Sequence, residues 1–454
     1  MGSKSSKESV AIKTRILPVN TNDLGAFKDK ATLEEWEVPT KTQNLKPLQE
    51  AAKQLQKSSI PVGFPTETVY GLGADATRSD AVKGIYKAKG RPSDNPLIIH
   101  VCDLTMLRGL LEKPESGKDS IPEIYRDLIK KFWPGPLTIL LPNPTPRILA
   151  PEVTAGLETF GARMPDFPLA LSLIKLAGVP LAAPSANAST KPSPTTAEHV
   201  RYDLDGKIEI ILDGGACQVG VESTVVDGLC DPPVLLRPGG LSIDRIKECA
   251  GWETVVKGYK DQSELGSKAP RAPGMKYKHY SPKAKVVLYE SSSQESSTGL
   301  PLKARNAILQ GEIASSSSNG SSIPTIGIVS TRNWVDWAGF DHEESDADKV
   351  SHVILSTDEA LLEGTSCPLK FGRLFSGPST RKTSTPEKHE AANLIGISLG
   401  SDTKDIAHGL FSALRELDKR NVDVIYVEGI DDEGDIAAAV MNRLRKAASV
   451  IEKA

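Results

Sequence analysis

Hydroxyl, acidic and basic side chains lie close together in residues 61–100 of this sequence. An apolar stretch ends in PTET (65–68), and a predicted helix over 80–89 carries Lys89 towards Arg91 in a Gly-Arg-Pro turn. Hydroxyls and cations that converge on one loop region are the groups that a polyanion site requires. A basic helix end is also explained by a solvated C-terminus that complements the helix dipole. Residues 61–100 alone therefore leave both interpretations open.

Two later segments offer groups of the same kind. APSANAS (183–189) follows a predicted strand and leads to Thr195 or Thr196, a predicted helix N-cap whose free backbone N–H groups could seat a phosphate. Arg237 ends a predicted strand before Pro-Gly-Gly, and a turn at that place can line a pocket. A surface helix cap and an exposed turn arginine are the alternatives, and the local sequence does not decide between them.

Several catalytic motifs are missing from the sequence. It contains no GxxxxGK[ST] phosphate loop and, in its second half, no Gly-rich dinucleotide fingerprint. His389-Glu390 begins like a zinc-protease motif, but Asn393 replaces the second histidine. The remaining hydroxyls, lysines, arginines and amides, with no evident nucleophile, favour phosphoryl or nucleotidyl transfer by positioning and charge stabilisation.

The composition indicates a soluble protein of two or three domains. The chain has 454 residues, of which 39% are apolar and 25% charged, and its net charge is −3. This balance disfavours bulk attraction to nucleic acid or membrane, although it allows a local basic pocket. The five cysteines are scattered and form no CxxC, so we expect neither a disulfide framework nor a zinc site.

Targeting signals are weak. No apolar run has the length of a transmembrane helix, and residues 1–10 lack the apolar core of a signal peptide. The start MGSKSS formally fits the myristoylation pattern, but chance explains so short a match. Acidic residues in the first forty positions weaken a mitochondrial presequence. We expect a cytoplasmic protein with no membrane association, and a mitochondrial pool stays open.

The elements that must position these groups divide the chain into four predicted parts. These are an N-terminal arm (1–40), a catalytic α/β domain (41–260), a basic and aromatic linker (261–284) and a second α/β domain (285–454). Within the last part, Ser-rich insertions are predicted at 291–297 and 315–322, and residues 360–390 are predicted to be rich in loops.

Eight segments in this order resemble the two-domain threonylcarbamoyl-AMP synthase family. They are PTETVYGLG (65–73), KAKGRPSDNPLIIH (87–100), FWPGPLTIL (132–140), ARMP (162–165), APSANAS (183–189) with KPSPT (191–195), GVESTVVD (220–227), LLRPGG (235–240) and APGMKYKHYSP (272–282). The resemblance covers residues 45–454 and is strongest over 60–240 and 272–282. It implies a YrdC-like twisted open mixed sheet with helices, joined by an ordered linker to a smaller Rossmann-like α/β domain.

The resemblance implies a nucleotidyltransferase that forms L-threonylcarbamoyl adenylate and pyrophosphate from L-threonine, bicarbonate and ATP. The product would supply N6-threonylcarbamoyladenosine of ANN-decoding tRNAs through a downstream tRNA threonylcarbamoyl transferase. Mg²⁺ is implied together with ATP, but the sequence names no metal ligand. A weak contact with tRNA or double-stranded RNA is also expected.

The resemblance assigns site residues as well. The L-threonine-binding positions are Thr68, His100, Arg163 and Ser223, with Arg163 expected to pair with the substrate carboxylate. The ATP-binding positions are Arg91, Asn95, Thr159, Ser185, Ser193, Arg237, His279 and Tyr280. Lys89 and Arg91 form a Lys-x-Arg pair that would stabilise phosphate charge in the transition state. His279 and Tyr280 of the linker are expected to close the pocket against water.

Two other functions compete with this one. An RNA-binding YrdC-like module without chemistry is disfavoured by the near-neutral charge and the few aromatic residues of the core motifs. A carbamoyltransferase-type enzyme of the hydrogenase-maturation kind is disfavoured because the sequence has no acylphosphatase-like or zinc-finger segment.

Overall fold

A computed structural model describes residues 11–40, 43–93, 95–114, 117–258, 280–290, 298–313, 323–340, 351–377, 389–434 and 436–452. These residues form an eleven-stranded sheet, a seven-stranded sheet and a two-stranded sheet, with helices around them. The predicted linker before residue 280, including His279, lies outside the described residues. The two predicted Ser-rich insertions lie outside them as well.

The first half of the chain builds the eleven-stranded mixed sheet. The strands of this half are β1 (Arg15–Pro18), β2 (Ala26–Phe27), β3 (Trp36–Glu37), β4 (Val62–Phe64), β5 (Gly71–Asp75), β6 (Ile98–His100), β7 (Leu137–Pro142), β8 (Thr159–Arg163), β9 (Leu181–Ala182), β10 (Ile210–Asp213), β11 (Thr224–Asp227), β12 (Val234–Arg237) and β13 (Val256–Lys257). β2 and β3 form the separate two-stranded sheet, and the other eleven form the large sheet. Its helices are α1 (Lys46–Lys57), α2 (Ser79–Lys89), α3 (Leu104–Arg108), α4 (Arg126–Phe132), α5 (Pro151–Thr154), α6 (Pro168–Ala177), α7 (Ala197–Leu204) and α8 (Ile243–Lys247).

The strand order brings distant segments together at strand ends. The order is β1-β10-β4-β5-β9-β6-β8-β7-β11-β12-β13. β6 and β8 run parallel with His100 opposite Arg163, so these two side chains leave the sheet at the same edge. β11 and β12 are antiparallel with Val225 opposite Arg237. His100 and Arg163, which are 63 positions apart in the sequence, therefore become neighbours.

Two helix ends position segments that the sequence predicts to bind an anion. α2 stops at Gly90, which has φ 64° and forms the left-handed C-cap that a glycine adopts without strain. The chain then turns directly into Arg91. At the start of α7 the Thr196 side chain accepts a hydrogen bond from the backbone N–H of His199. Of the two predicted N-caps, Thr196 is therefore confirmed.

Residues 11–40, which the sequence assigned to an arm, pack on this domain. β1 pairs in parallel with β10 over four residues and forms one edge of the large sheet. Leu24, Leu33 and Trp36 are buried, and the Trp36 indole donates a hydrogen bond to the Ser172 hydroxyl at 2.9 Å. This part of the arm thus belongs to the body of the first domain.

The second half forms the seven-stranded sheet. Its elements are β14 (Lys285–Tyr289), α9 (Leu302–Leu309), β15 (Thr325–Ser330), β16 (Ser351–Leu361), β17 (Pro368–Gly377), β18 (His389–Ser398), α10 (Thr403–Lys419), β19 (Val424–Glu428), α11 (Ala437–Ala447) and β20 (Val450–Glu452). The order is β16-β17-β18-β15-β19-β14-β20, and the strands β18, β15, β19, β14 and β20 run parallel to one another. This parallel core with helical crossovers agrees with the predicted Rossmann-like pattern.

One sequence prediction is wrong in this half. Residues 368–377 are not loop, because β17 forms ten residues of strand that pair antiparallel with both β16 and β18. The hydrogen bonds of this strand come from partners on both sides, and such non-local pairing overrides weak local preferences.

The apolar cores of the two halves meet. Val69 and Val221 of the first half belong to the same buried cluster as Leu288, Phe411 and Leu414 of the second half. Gly220 has φ 80°, and a Cβ atom there would lie 2.4 Å from the Cα atom of His408 in α10. This close approach requires a glycine. No helix in the described ranges is both long and apolar enough to cross a bilayer.

Candidate active site

One cavity collects side chains from segments far apart along the chain. Its walls are formed by Thr66, Thr68, Val69, Gly71, Arg91, Ile98, His100, Arg163, Ala183, Pro184, Ser185, Asn187, Lys191, Ser193, Glu222, Ser223, Arg237 and Tyr280. It encloses about 70 Å³, whereas sites for small molecules usually have roughly 300–1,000 Å³. The cavity is thus a small space with a wall assembled from many separate segments.

Arg163 lies at the centre of one side of the cavity. Its Nη1 atom donates to the Thr68 hydroxyl at 2.8 Å, its Nε atom donates to the Gly135 carbonyl at 3.1 Å, and its Nη2 atom lies 2.6 Å from a Glu67 carboxylate oxygen. Both members of the Arg163–Glu67 ion pair are about 95% buried. A guanidinium has five N–H donors, so this arginine keeps donors for a further anion.

His100 stands beside Arg163 at the end of the neighbouring strand. Burial, together with the charge of Arg163, lowers the pKa of His100 to about 3. The imidazole is therefore neutral near pH 7 and can offer a hydrogen bond without adding charge.

Arg237 and Ser223 form the opposite side. Arg237 donates from Nε and Nη2 to the Ser223 carbonyl at 3.1 and 2.7 Å, and from Nη2 to the Ser223 hydroxyl at 3.1 Å. The Thr138 and Ser223 hydroxyls are 2.8 Å apart. Burial lowers the pKa of Arg237 to about 10, so the guanidinium remains charged at neutral pH. This side presents a fixed cation and hydroxyls to the cavity.

Lys89 holds the turn that forms a third side. Its Nζ atom donates to the carbonyls of Ser185 and Asn187 at 2.6 and 2.8 Å and lies 3.3 Å from the Asn187 side-chain oxygen. The Ser185 hydroxyl donates to that same side-chain oxygen at 2.6 Å. Burial, with the charge of Arg91, lowers the pKa of Lys89 to about 7. The ammonium thus lies behind the wall and fixes its shape.

Nine of the predicted site residues line the cavity. They are Thr68, Arg91, His100, Arg163, Ser185, Ser193, Ser223, Arg237 and Tyr280. Thr159 is at the other end of β8 from Arg163, four residues or about 13 Å away, and the structure does not bring it to the cavity wall. Asn95 is completely buried outside the wall, and its side-chain amide has no hydrogen-bond partner among the described residues.

Tyr280 is the linker residue that the structure does describe. Its ring stacks on Phe411 of α10 with centroids 5.1 Å apart, and it has φ 64°, a left-handed conformation that non-glycine residues seldom adopt. Burial, with the charge of Glu222, raises the pKa of Tyr280 to about 12. The tyrosine therefore stays neutral and closes the cavity from the side of the second domain.

Sequence reasoning missed two acidic residues of the site, Glu67 and Glu222. Glu67 pairs with Arg163, and Glu222 accepts a 2.5 Å hydrogen bond from the Ser193 hydroxyl. Both lie inside quoted motifs, directly before Thr68 and Ser223. A glutamate is rarely buried unless it is paired. The position of both glutamates inside these motifs, next to predicted site residues, is therefore the signal that could have identified them.

Two family models match the chain in succession. The Sua5/YciO/YrdC model, described as telomere recombination, matches residues 54–239. The model of the threonylcarbamoyl-AMP synthase C-terminal domain matches residues 241–449.

Curated relatives named threonylcarbamoyl-AMP synthase match over most of their length. The protein from Schizosaccharomyces pombe is 44% identical, with 89% of this chain and 88% of the relative covered. The Bacillus subtilis protein is 40% identical, with 88% and 92% covered. The Pyrococcus abyssi protein is 40% identical, with 85% and 89% covered.

Two solved structures agree with the fold. Sua5 of P. abyssi in complex with L-threonine is 36% identical, with a TM-score of 0.67 and with 97% of this chain and 100% of that chain covered. A P. abyssi Sua5 variant with an adjacent His and Tyr changed to Ala is 37% identical, with a TM-score of 0.64 and 90% and 94% covered. Identity at this level over both halves shows that the chain belongs to the threonylcarbamoyl-AMP synthase family.

Proposed function

We propose that this protein is an L-threonylcarbamoyladenylate synthase. It forms threonylcarbamoyl-AMP and pyrophosphate from L-threonine, bicarbonate and ATP. The observation that carries the proposal is the single cavity that gathers Arg91, Arg163, Ser185 and Arg237 from four separate segments. Such a lining suits an amino acid and a triphosphate held side by side.

The threonine end is built around Arg163. The substrate carboxylate binds the remaining donors of its guanidinium, in the planar geometry that favours Arg over Lys. The Thr68 hydroxyl and the neutral His100 ring complete this end, and Ser223 faces it from the other wall. Glu67 keeps Arg163 oriented through the buried ion pair. The complex of P. abyssi Sua5 with L-threonine supports this choice of substrate.

The ATP end uses Arg91, Ser185, Ser193 and Arg237. The guanidinium groups offset phosphate charge, and the hydroxyls orient the nucleotide. Asn95 stays a predicted ATP contact, because its side chain is fully buried and does not line the cavity. Lys89 shapes the wall at the Ser185–Asn187 turn and adds a nearby positive charge. Thr159 stays a predicted ATP contact that would require the nucleotide to reach the far end of β8.

The proposed chemistry has two steps. The threonine amine, after losing a proton, attacks the bicarbonate carbon, and water leaves to give the carbamate. A carbamate oxygen then attacks the α-phosphorus of ATP and forms a new P–O bond while the bond to pyrophosphate breaks. The arrangement offers no protein nucleophile for either step, so the residues act by positioning both substrates and by stabilising phosphate charge.

Mg²⁺ is proposed only as the counter-ion of ATP. Within the described ranges no three His, Cys, Asp or Glu side chains cluster as a metal site. The carboxylate in the cavity wall, Glu222, already accepts hydrogen bonds from Ser193 and Arg443. The donor set therefore does not fit a protein-held ion, and no step above is assigned to the metal. Mg²⁺ commonly binds through substrate phosphates and water.

The wider role follows from the proposed product. We propose that a tRNA threonylcarbamoyl transferase takes threonylcarbamoyl-AMP to N6-threonylcarbamoyladenosine, with at most a weak direct contact between this protein and RNA. We also propose a cytoplasmic location with a mitochondrial pool, which fractionation of the tagged protein would test.

Pyrophosphate release by the purified full-length protein tests the function. Full activity should need ATP, L-threonine and bicarbonate together, and the adenylate should be detected by mass spectrometry. D-Threonine and a bicarbonate-depleted buffer are the matched controls. Release that is independent of L-threonine would contradict the proposal, and salt-sensitive tRNA binding without turnover would favour the RNA-binding alternative.

A further inference from the structure

Helix α11 of the second domain places a fully buried arginine against the wall of the cavity. Arg443 donates from Nε and Nη2 to one oxygen of Glu222 at 3.0 and 2.9 Å, and from Nη1 to the carbonyl of Pro238. Its side chain has no exposed surface. All three of these hydrogen bonds end on the first domain.

The two acceptors of Arg443 are next to two predicted substrate-binding residues, Ser223 and Arg237, and one of them also contacts a third, Ser193. Glu222 precedes Ser223 and also accepts the hydrogen bond from Ser193. Pro238 follows Arg237, whose guanidinium in turn donates to Ser223. One side chain of the second domain therefore ties together the segments that hold Ser193, Ser223 and Arg237.

The electrostatics of this contact keep the Glu222 carboxylate ionised near neutral pH. Burial would raise the pKa of Glu222, but the charges of Arg443 and Arg237, with the hydrogen bond from Ser193, lower it to about 2. Buried charge pairs of this kind are costly to break from one side, because the remaining charge is left without a partner. A bidentate guanidinium also fixes the direction of its acceptor, which an ammonium cannot do.

A second arginine shows that the contact is part of a broader arrangement. Arg415 of α10 donates to the carbonyls of Pro192 and Ser193 and to the Asp203 carboxylate at 2.9 Å. Helix α10 thus contacts the segment that carries Ser193 directly, and helix α11 contacts Glu222, which accepts the hydrogen bond from Ser193. Arg445, two residues after Arg443, instead pairs with Glu290 and Asp432 of its own domain.

We propose that Arg443 is a positioning residue of the active site, and that through it the second domain sets the geometry of the ATP-binding wall. This proposal deepens the function proposed above and depends on it. Arg443 would act through Glu222 and Pro238 and would not touch substrate. Its loss should affect the ATP end more than the threonine end, because two of the three residues on the tied segments, Ser193 and Arg237, are assigned to ATP and only Ser223 is assigned to threonine. Arg163 is held separately, through Gly135 and Thr68.

The test compares Arg443→Gln and Arg443→Lys with Arg445→Gln in the full-length protein. For Arg443→Gln we expect the KM for ATP to rise at least tenfold and kcat to fall at least tenfold, while the KM for threonine changes less than threefold. Arg443→Lys keeps the charge but loses the bidentate guanidinium. Its KM for ATP and its kcat should lie between those of Arg443→Gln and those of the wild type. Arg445→Gln, which removes ion pairs inside the second domain, should keep wild-type kinetics.

Thermal unfolding and a double-mutant cycle separate positioning from folding. Glu222→Gln combined with Arg443→Gln should lose less than the product of the two single losses, because the two residues act as a unit. If Arg443→Gln does not fold, Arg443→Lys decides, and wild-type values for it in both KM and kcat would overturn the proposal. Folded Arg443→Gln with unchanged kinetics would also overturn it. A wild-type protein without threonine-dependent turnover would instead refute the proposed function.

Discussion

Arg163 has three of its nitrogen atoms engaged by the protein, through Gly135, Thr68 and Glu67. These contacts fix the plane of the guanidinium before any substrate arrives, and preorganisation of this kind lowers the entropy cost of binding. An incoming carboxylate then meets an oriented donor set. The specificity for an amino acid is expected to reside at this side chain.

We predict that Arg163→Lys raises the KM for threonine about 10- to 100-fold, the loss of one charged hydrogen bond. The KM for ATP should change less than threefold. Lysine is chosen because alanine would leave Glu67 buried with no opposite charge. Steady-state pyrophosphate release with each substrate varied in turn gives both constants.

The control is Arg147→Lys, since Arg147 is also paired with a glutamate, Glu158, but lies at the surface. Equal losses for threonine and ATP in the Arg163 variant would show that Arg163 serves the whole cavity and not the amino acid.

Lys89 gives a second prediction at this scale. Its pKa is lowered to about 7, so at pH 8 the Lys89 side chain is mostly in its neutral amine form in the free protein. ATP brings negative charge, which favours the protonated form and raises that pKa. Binding at pH 8 should therefore take up roughly one proton, and this uptake should vanish at pH 6, where Lys89 is already charged.

Calorimetric titration of ATP in buffers of different ionisation enthalpy measures the uptake. Lys89→Arg, which stays charged at every accessible pH, should bind ATP with no such uptake at pH 8. If wild type and variant exchange the same number of protons, the titrating group is not Lys89.

Much of the site could be predicted at the residue scale, but its pairings could not. Residue type and spacing left the cations and hydroxyls open to two interpretations, and the resemblance to the family assigned them to the site. Glu67 and Glu222 were missed because a carboxylate in a motif does not reveal which arginine it faces. Thr159 shows the opposite problem, since four residues of strand separate it from Arg163.

At the scale of elements, the turn that follows β12 packs against the residues at the start of β11. A Cβ atom on Gly239 would lie 2.3 Å from backbone atoms of Glu222, Ser223 and Thr224. The Thr224 hydroxyl closes the same contact by donating to the Leu241 carbonyl at 2.6 Å. The distance between Ser223 and Arg237 thus depends on a glycine that touches neither substrate.

We predict that Gly239→Ala separates these two segments and lowers kcat/KM for ATP at least tenfold. The free energy of unfolding should fall by about 1–3 kcal/mol, as for other overpacked sites. Kinetics and urea unfolding provide the two measurements. Gly109→Ala is the control, because Gly109 has φ −62° and a Cβ atom there would lie 3.2 Å from its nearest neighbour.

Unchanged kinetics in Gly239→Ala, with stability lost, would mean that the spacing of the two segments does not limit catalysis.

Element prediction succeeded where the signal was local. Apolar runs such as Ile98-Ile99 and Val225-Val226 correctly predicted buried strands, and Gly90 correctly predicted the end of α2. β17 was missed because its pairing partners, β16 and β18, decide its conformation. The position of β1 beside β10 was likewise hidden, since about 190 residues separate the paired strands.

For the whole molecule, the described end of the linker, from residue 280, lies at the cavity. Tyr280 lines it, the backbone N–H of Ser281 donates to the Thr190 carbonyl, and that of Lys283 donates to Asp418 of α10. These contacts tie the end of the linker to both domains. The sequence also has a single His-Tyr pair, at 279–280, and such a pair is the one changed in the second P. abyssi structure.

We predict that a protease site inserted within 272–279, once cleaved, lowers pyrophosphate release at least tenfold although the domains stay associated. The cut frees the segment that must hold Tyr280 over the cavity. The control is the same cleavage within 315–322, which breaks the chain elsewhere in the second half. Gel filtration verifies association, and full activity after the linker cut would show that the linker is only a tether.

The turn between β11 and β12 carries Cys230, which is partly exposed, whereas Cys102, Cys217, Cys249 and Cys367 are buried. Burial raises the pKa of all four buried thiols, which keeps them unreactive near neutral pH. A maleimide dye should consequently attach to native protein at one position without any engineering. That position is at the tip of the β11–β12 hairpin, whose other end carries Ser223 and Arg237, each seven residues away along the chain, so the dye would mark the first domain at one defined point outside the cavity wall.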